Sequence, residues 1–128
     1  MRVERAGIII TDPYITHILL IQDSRHGKWS TPKGSVEDYD RSYLATAIRE
    51  VQEETEFREG IDYWIQDHKP YIIRKCLFYF GMSTHLGLYR MSKLEEHVQV
   101  IAWVPVTEVK DLYTNAYTRI AFELLGWR

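Results

Sequence analysis

Residues 34–57, GSVEDYDRSYLATAIREVQEETEF, contain the pattern that decides the fold. Helical spacing of the apolar residues predicts one buried face, formed by Leu44, Ile48 and Val51. Residues three and four positions apart are neighbours on a helix, so a second face collects the acidic residues Glu50, Glu53 and Glu54. Three adjacent carboxylates repel one another. We therefore expect a cation among them, and oxygen ligands suit a hard divalent ion such as Mg²⁺ or Mn²⁺.

A solvated acidic helix surface is the simpler alternative, but the neighbouring residues favour a site. The helix follows Trp29-Ser30-Thr31-Pro32-Lys33-Gly34, a tight turn that carries a cationic side chain. Arg49 precedes Glu53 by four positions and neutralises only part of the acidic charge.

This stretch resembles the Nudix box, G-x5-E-x7-R-E-U-x-E-E-x-G-U, in which U is an apolar residue. Gly34 fits the first glycine, and Asp40 stands at the first glutamate position. The run 49–54, REVQEE, fits the core of the pattern, and Phe57 fits its last apolar position. The box therefore covers about residues 34–57.

Two positions depart from the Nudix pattern. Eight residues rather than seven separate Asp40 from Arg49, so the loop before the helix is one residue longer. Glu56 occupies the final glycine position. A residue other than glycine seldom adopts a positive φ, so we expect a reshaped or strained turn at the helix exit.

The resemblance implies an α/β fold, the Nudix α/β/α sandwich, in which a mixed β-sheet lies between helices. Residues 1–128 would form a single domain, with the box helix on one face and the terminal helix on the other. The implied activity is metal-dependent hydrolysis of a diphosphate linkage in a nucleoside diphosphate joined to a further group.

The resemblance also implies roles for the box residues. One to three Mg²⁺ or Mn²⁺ ions would be held by Glu50, Glu53, Glu54 and the Gly34 carbonyl. Arg49 would orient the glutamates, and Glu53 or a later acidic residue would take a proton from water. Counting back six positions from Trp103 reaches His97, a second candidate for this later base, although Glu96 is preferred. Glu95 is third, and an exposed acidic loop is the alternative to all three.

Several cations and two tyrosines are candidate substrate contacts. Lys33 would hold a phosphate as a point charge. Arg74 and Lys75 interrupt an apolar run that predicts a buried strand, so they need an anionic partner or a water-filled cleft. Further candidates are loop residues Arg25 and Lys28, and two aromatic residues that would stack on a base or pack at the sheet edge, Tyr113 and Tyr117.

The preferred substrate is a dinucleoside polyphosphate such as diadenosine tetraphosphate, because Trp-x-x-Pro-Lys-Gly and Lys75 resemble the hydrolases of that compound. Decapping of messenger RNA is one alternative, because Trp-x-x-Pro-Lys-Gly also resembles the catalytic domain of decapping enzymes. Ser24-Arg25-His26 resembles a loop of diphosphoinositol polyphosphate phosphohydrolases, which is another. A catalytically silent Nudix domain that binds a nucleotide or a protein is the alternative of a different class, suggested by Glu56 and the residue added after Asp40.

Composition excludes several classes of protein. The chain has 128 residues, of which 45% are hydrophobic and 27% charged, as in ordinary globular domains. A net charge of −2 argues against a general nucleic-acid binder, although capped RNA stays open. The start lacks a signal-peptide pattern, no apolar run has membrane-spanning length, and the single cysteine indicates a reducing compartment. We therefore expect a cytoplasmic enzyme of a small nucleotide or polyphosphate, away from membranes; the oligomeric state is not predicted.

The predicted elements follow apolar periodicity. They are strands at 3–10, 17–22, 61–68, 71–82, 86–91 and 98–106, a short strand entering the box, the box helix from Asp40 or Arg41 to Thr55, a helical turn at 106–112 and a terminal helix at 115–125. Thr114 or Asn115 would cap the terminal helix. Its predicted sheet-facing residues are Ile120 and Leu124, with Tyr117 and Phe122 as further candidates.

Overall fold

The computed structural model describes residues 2–84 and 98–126. Its elements, in chain order, are β1 (Arg5–Thr11), β2 (His17–Asp23), β3 (Trp29–Ser30), β4 (Lys33–Ser35), α1 (Tyr43–Thr55), β5 (Trp64–Ile73), β6 (Cys76–Met82), β7 (Val98–Pro105), a 3-10 helix (Val106–Asp111) and α2 (Ala116–Leu125). Within the described ranges, no helix is both long and apolar enough to cross a membrane.

The seven strands form one mixed sheet organised around β1. Strand β1 runs parallel to β6 along its whole length, and its first three residues pair antiparallel with β4. At its far end Thr11 pairs with Ile18 of β2, which also pairs with β3 and β7. Strand β5 pairs only with β6 among the described strands and forms an edge of the sheet. This arrangement places β4 beside the start of β1.

Alternate residues of the sheet pack into two separate cores. Ile8 and Ile10 of β1 lie in the core that includes Val51 of α1. Ile9 points the other way and lies in the core that includes Phe122 of α2. The side chains of a strand alternate between faces, so one helix covers each side. The predicted α/β/α sandwich is therefore confirmed.

The predicted strand over 71–82 is wrong, because it is a hairpin. Strand β5 ends at Ile73 and β6 begins at Cys76, so Arg74 and Lys75 form the turn between them. Arg74 has a left-handed backbone with φ 56°. The predicted strand over 61–68 ends too early, because β5 continues through Lys69 and Pro70. Proline is tolerated there because an edge strand leaves some backbone N–H groups without a ladder partner.

The box helix begins at Tyr43, two or three residues later than predicted. Ser42 caps it, because its Oγ accepts a hydrogen bond of 3.0 Å from the Ala45 N–H. At the other end Glu56 has φ 64°, so of the two expected outcomes the turn is strained rather than reshaped, and the Glu56 N–H donates to the Gln52 carbonyl at 2.9 Å. The helix thus ends in a left-handed cap built with an unfavourable residue.

The terminal helix agrees with the prediction at its start but only partly along its face. Asn115 caps α2 by accepting a hydrogen bond of 2.9 Å from the Thr118 N–H. Phe122 is buried, whereas Leu124 is 66% exposed and does not face the core as predicted. The predicted strand over 86–91 lies outside the described residues.

Candidate functional site

The guanidinium of Arg49 is the centre of the acidic face of α1. One nitrogen, Nη1, donates to Glu50 Oε1 at 2.9 Å and to Glu53 Oε1 at 2.8 Å. The other two nitrogens, Nε and Nη2, donate to the two oxygens of Asp40 at 3.0 and 2.9 Å. Nη2 also donates to the Ser35 carbonyl at 2.9 Å, which ties α1 to β4. One guanidinium therefore fixes three carboxylates.

Asp40 keeps its contact with Arg49 despite the additional residue after it. Its side chain is only 4% exposed and also accepts hydrogen bonds from the Thr46 hydroxyl and the Glu37 N–H, each 2.8 Å. The hydrogen bonds from Arg49 hold the pKa of Asp40 far below its usual range. The pKa of Arg49 is raised in turn, chiefly by Asp40. The longer loop is therefore accommodated without loss of this ion pair.

Strand β4 lies against Glu54 and Glu50 of the helix. Glu54 is 5% exposed, and its Oε1 accepts a hydrogen bond of 2.9 Å from the Lys33 N–H. Glu50 lies directly against Gly34, because a Cβ built on that glycine would overlap the Glu50 carboxylate. Any side chain at position 34 would therefore displace the Glu50 carboxylate.

These groups have the chemistry of a divalent-cation site. One guanidinium faces the carboxylates of Asp40, Glu50 and Glu53, and Glu54 lies one helical turn from Glu50, so the cluster retains excess negative charge. Carboxylate and carbonyl oxygens are the ligands that Mg²⁺ and Mn²⁺ prefer. In the described part of the chain, no three Asp, Glu, His or Cys side chains are already gathered as a metal site. The donor set fits a cation of this class, with Glu53 and Glu50 now turned toward Arg49.

The Lys33 side chain lies on the opposite face of β4 from Gly34. Its Nζ is 4.9 Å from the centre of the Tyr117 ring, and the guanidinium carbons of Arg5 and Arg74 are each 6.0 Å from the same centre. Burial lowers the pKa of Lys33 and the charge of Arg5 lowers it further, while Glu54 and Glu50 raise it. The ammonium therefore lies within the electrostatic reach of the acidic helix.

The loop between β2 and β3 holds a second group of cations. The Arg25 guanidinium donates two hydrogen bonds to the Asp23 carboxylate, from Nε to Oδ1 at 3.0 Å and from Nη2 to Oδ2 at 2.6 Å. This contact lowers the pKa of Asp23 to about 2. The pKa of Arg25 is raised, chiefly by its hydrogen bonds to Asp23 and to a lesser extent by the charge of Glu54 on α1. Lys28 Nζ is 5.3 Å from the ring centre of Tyr113, which is 62% exposed.

The remaining predicted site residues are Lys75, Glu95, Glu96 and His97. Lys75 is in the hairpin turn rather than in a buried strand, and its Nζ is 3.2 Å from Glu4 Oε1 in an exposed pair. The reason given for its role was therefore wrong, and the role itself stays a prediction. Glu95, Glu96 and His97 lie outside the described residues.

Two residues of this region were missed by the sequence analysis. Arg5 reaches Tyr117, and its Nη1 is 3.3 Å from the Tyr117 hydroxyl oxygen. Asp23 fixes Arg25. A charged first residue on a strand that is otherwise largely apolar was a usable signal for Arg5. For Asp23 the signal was an acidic residue two positions before an arginine in a polar loop.

Comparison with known proteins supports one family. A NUDIX domain model matches residues 1–124. An Ap4A hydrolase from C. elegans, solved as a binary complex, is 18% identical with a TM-score of 0.70, over 96% of this chain and 98% of that one. The Nudix hydrolase RenU from M. smegmatis is 14% identical with a TM-score of 0.75, over 98% and 84%. The NUDIX domain of Shewanella oneidensis NrtR, crystallised with ADP ribose, is 18% identical with a TM-score of 0.67, over 98% and 87%.

At these identities the solved structures establish the fold alone. A search among curated proteins gave no significant match. The family model, however, covers nearly the whole chain, including the acidic helix and the strands that position it. The chain therefore belongs to the NUDIX domain family, and it is a Nudix hydrolase, an enzyme that acts on phosphoric anhydride bonds.

Proposed function

We propose that this chain hydrolyses a dinucleoside polyphosphate, with diadenosine tetraphosphate as the preferred substrate and Mg²⁺ or Mn²⁺ as the cofactor. The observation that carries the proposal is the position of Lys33 on β4. Its N–H binds Glu54 of the acidic helix, while its ammonium lies with Arg5 and Arg74 at the Tyr117 ring. Lys33 thus joins the acidic helix to a group of three cations at one strand, and we assign the cofactor to the first and the phosphates to the second.

The cation would be held by the three helix glutamates and by the carbonyl of Gly34. When bound, it supplies a water of lowered pKa and offsets negative charge on the phosphate oxygens. Arg49 would position two of these ligands, because its Nη1 donates hydrogen bonds to both Glu50 and Glu53. Its own pKa is raised, so it stays charged throughout the reaction.

In the reaction a water oxygen forms a bond to one phosphorus, and the anhydride bond between that phosphorus and its bridging oxygen breaks. A carboxylate takes the proton from water, and the leaving phosphate carries away the bonding electron pair. We assign proton removal to Glu53, whose side chain is 39% exposed and accessible to water. Glu96 and His97 are the competing assignments, and the variants Glu53→Gln, Glu96→Gln and His97→Gln compare the three residues.

The phosphate chain would be held by cations on the other side of β4. Lys33 and Arg74 contribute from the Tyr117 side, and Arg25 and Lys28 contribute from the loop after β2. Lys75 is a weaker candidate because Glu4 already pairs with it. Tyr113 offers an exposed ring that is free to receive a base on the face not covered by Lys28.

A diphosphoinositol polyphosphate is the second candidate substrate. The observation in its favour is the number of cations at one end of the sheet, namely Arg5, Arg25, Lys28, Lys33 and Arg74. Asp23 also holds Arg25 in a defined position within the Ser24-Arg25-His26 loop. A highly anionic ligand requires such a surface.

We also propose that the enzyme works in the cytoplasm. The single cysteine, Cys76, is a buried free thiol. Burial raises the pKa of that thiol to about 12, so it stays protonated and unreactive. A chain without disulfides suits a reducing compartment.

The test is a hydrolysis panel in Mg²⁺ with four substrates: diadenosine tetraphosphate, diphosphoinositol pentakisphosphate, capped RNA and ADP-ribose. We expect the highest kcat/KM for diadenosine tetraphosphate. A higher value for the inositol compound would replace the first candidate with the second. If capped RNA or ADP-ribose were the best substrate, both substrate proposals would be wrong. Absence of turnover for every compound would contradict the activity and leave a binding domain.

A further inference from the structure

We propose that Arg5, Lys33 and Arg74 together form a binding site for a phosphate group of the substrate, and that the Tyr117 ring holds these three cations in place. This inference rests on the proposed function, because it specifies how the substrate is held. It differs from the expectation that Tyr117 stacks on a base. Arg5 also enters the site as a residue that the sequence pattern did not indicate.

The first support is that three cations converge on one aromatic ring. The Lys33 ammonium is 4.9 Å from the ring centre, and both guanidinium carbons are 6.0 Å away. Distances up to about 6 Å allow an attractive cation–π contact. Arg5 is fixed further by its contact with the Tyr117 hydroxyl. A ring already approached by three cations has little open face for a nucleobase.

The second support is that no carboxylate contacts the three cations directly, although Glu54 and Glu50 act on Lys33 from farther away. Among the residues that the structure describes, none of these three cations has a carboxylate within ion-pair distance. Glu4 is the nearest acidic residue in sequence to Arg5, and it pairs with Lys75 instead. Three like charges around one ring repel one another, so an anion bound among them would relieve an unfavourable arrangement.

The third support is the backbone at Arg74. This residue is the first of a two-residue hairpin turn and has φ 56°, a conformation that favours glycine. Arginine there costs stability, and strained residues of this kind concentrate at binding sites. The side chain that the strained turn carries is the one that reaches Tyr117.

The probe for the test is inorganic tripolyphosphate, measured by calorimetry at low salt in EDTA. Without a divalent ion the acidic helix has no means of attracting phosphate, and the probe has no base to stack. We expect Arg5→Gln to weaken binding about tenfold, as loss of a charged contact to phosphate predicts. Arg119→Gln removes the same charge from an exposed position on α2 and should change the dissociation constant less than twofold.

Two further variants separate the proposed site from simpler explanations. Tyr117→Leu should weaken tripolyphosphate binding at least threefold, whereas a ring that served only to stack a base would leave this probe unaffected. Arg74→Gly should weaken binding while raising the melting temperature, because glycine relieves the strained turn. Ile15→Gly is the matched backbone control, because Ile15 has φ 55° at the opposite end of β1. It should leave tripolyphosphate binding unchanged.

The inference is overturned if wild type does not bind tripolyphosphate in EDTA, or if Arg5→Gln and Arg119→Gln bind it equally. It is also overturned if Tyr117→Leu binds as wild type does. These results are independent of turnover. If the Arg5 effect is found but no dinucleoside polyphosphate is hydrolysed, the phosphate site stands and the proposed substrate fails. If the substrate is hydrolysed with an unchanged KM in Arg5→Gln, the phosphate site fails and the proposed substrate stands.

Discussion

Replacement of Asp40 by asparagine tests how the longer box loop still supports the acidic helix. The Asp40 carboxylate is 4% exposed and accepts four hydrogen bonds, two of them from the Arg49 guanidinium. Asparagine offers one oxygen in place of two, so an amide N–H must face a donor from Arg49, Thr46 or Glu37. The negative charge beside Arg49 is lost as well.

The expected loss of stability in Asp40→Asn depends on the hydrogen-bond partners that Arg49 keeps. Breaking a buried ion pair costs about 3–5 kcal/mol when the remaining charge has no partner. Arg49 still has Glu50, Glu53 and the Ser35 carbonyl, so the loss is closer to that of one charged hydrogen bond, about 2 kcal/mol. For a domain of this size, this is a fall of roughly 6–10 °C in melting temperature.

The assay is urea unfolding followed by tryptophan fluorescence at pH 7, with Asp38→Asn as the control. Asp38 is an exposed neighbour, and its replacement removes the same charge. The pKa of Asp40 is lowered in the folded state, so its contribution is complete above the unfolded pKa of about 4 and is lost as pH falls through the folded value. The gap between wild type and Asp40→Asn should therefore shrink at low pH. Equal stability of the two Asn variants at pH 7 would refute this reasoning.

Three further predictions concern single sites. Glu56→Gly should raise the free energy of unfolding by about 0.5–1 kcal/mol in urea titrations, because glycine removes the cost of φ 64°; a loss of stability would contradict the strained cap. Gly34→Ala should lower kcat/KM by roughly 10- to 100-fold, because its Cβ would displace the Glu50 carboxylate, and kinetics that match wild type would show that Glu50 can move without consequence. The Cys76 thiol, whose pKa is raised to about 12, should react with a thiol reagent at pH 8 only when guanidinium unfolds the chain; rapid labelling of folded protein would contradict its burial.

The acidic helix could be predicted from the sequence because the residues that define it lie close together in the chain. Glu50, Glu53 and Glu54 share a face by helical spacing alone, and Val51 marks the buried side. Gly34 and Asp40 were found through the spacing of the box. A strained turn at Glu56 was one of the two outcomes expected from its place at a glycine position.

Other features depend on contacts between distant segments, which a periodic pattern does not record. Arg5 and Tyr117 are 112 positions apart, and only the meeting of β1 with α2 joins them. The hairpin turn at Arg74 was hidden because the residues on both sides of it are apolar, so the run resembled one long strand. The predicted strand over 61–68 stopped before Pro70, because the sequence pattern does not show that β5 lies at an edge of the sheet, where proline is tolerated.

The most direct test of the central assignment is the turnover of diadenosine tetraphosphate in Mg²⁺ by wild type and by Glu54→Gln. Glu108→Gln is the control, because Glu108 is an exposed glutamate on the 3-10 helix after β7. If the α1 carboxylates hold the catalytic cation, Glu54→Gln should lose roughly 100-fold or more in kcat while its circular dichroism matches wild type. Glu108→Gln should retain full activity. Undiminished turnover by a folded Glu54→Gln enzyme would contradict the assignment of hydrolysis to this helix.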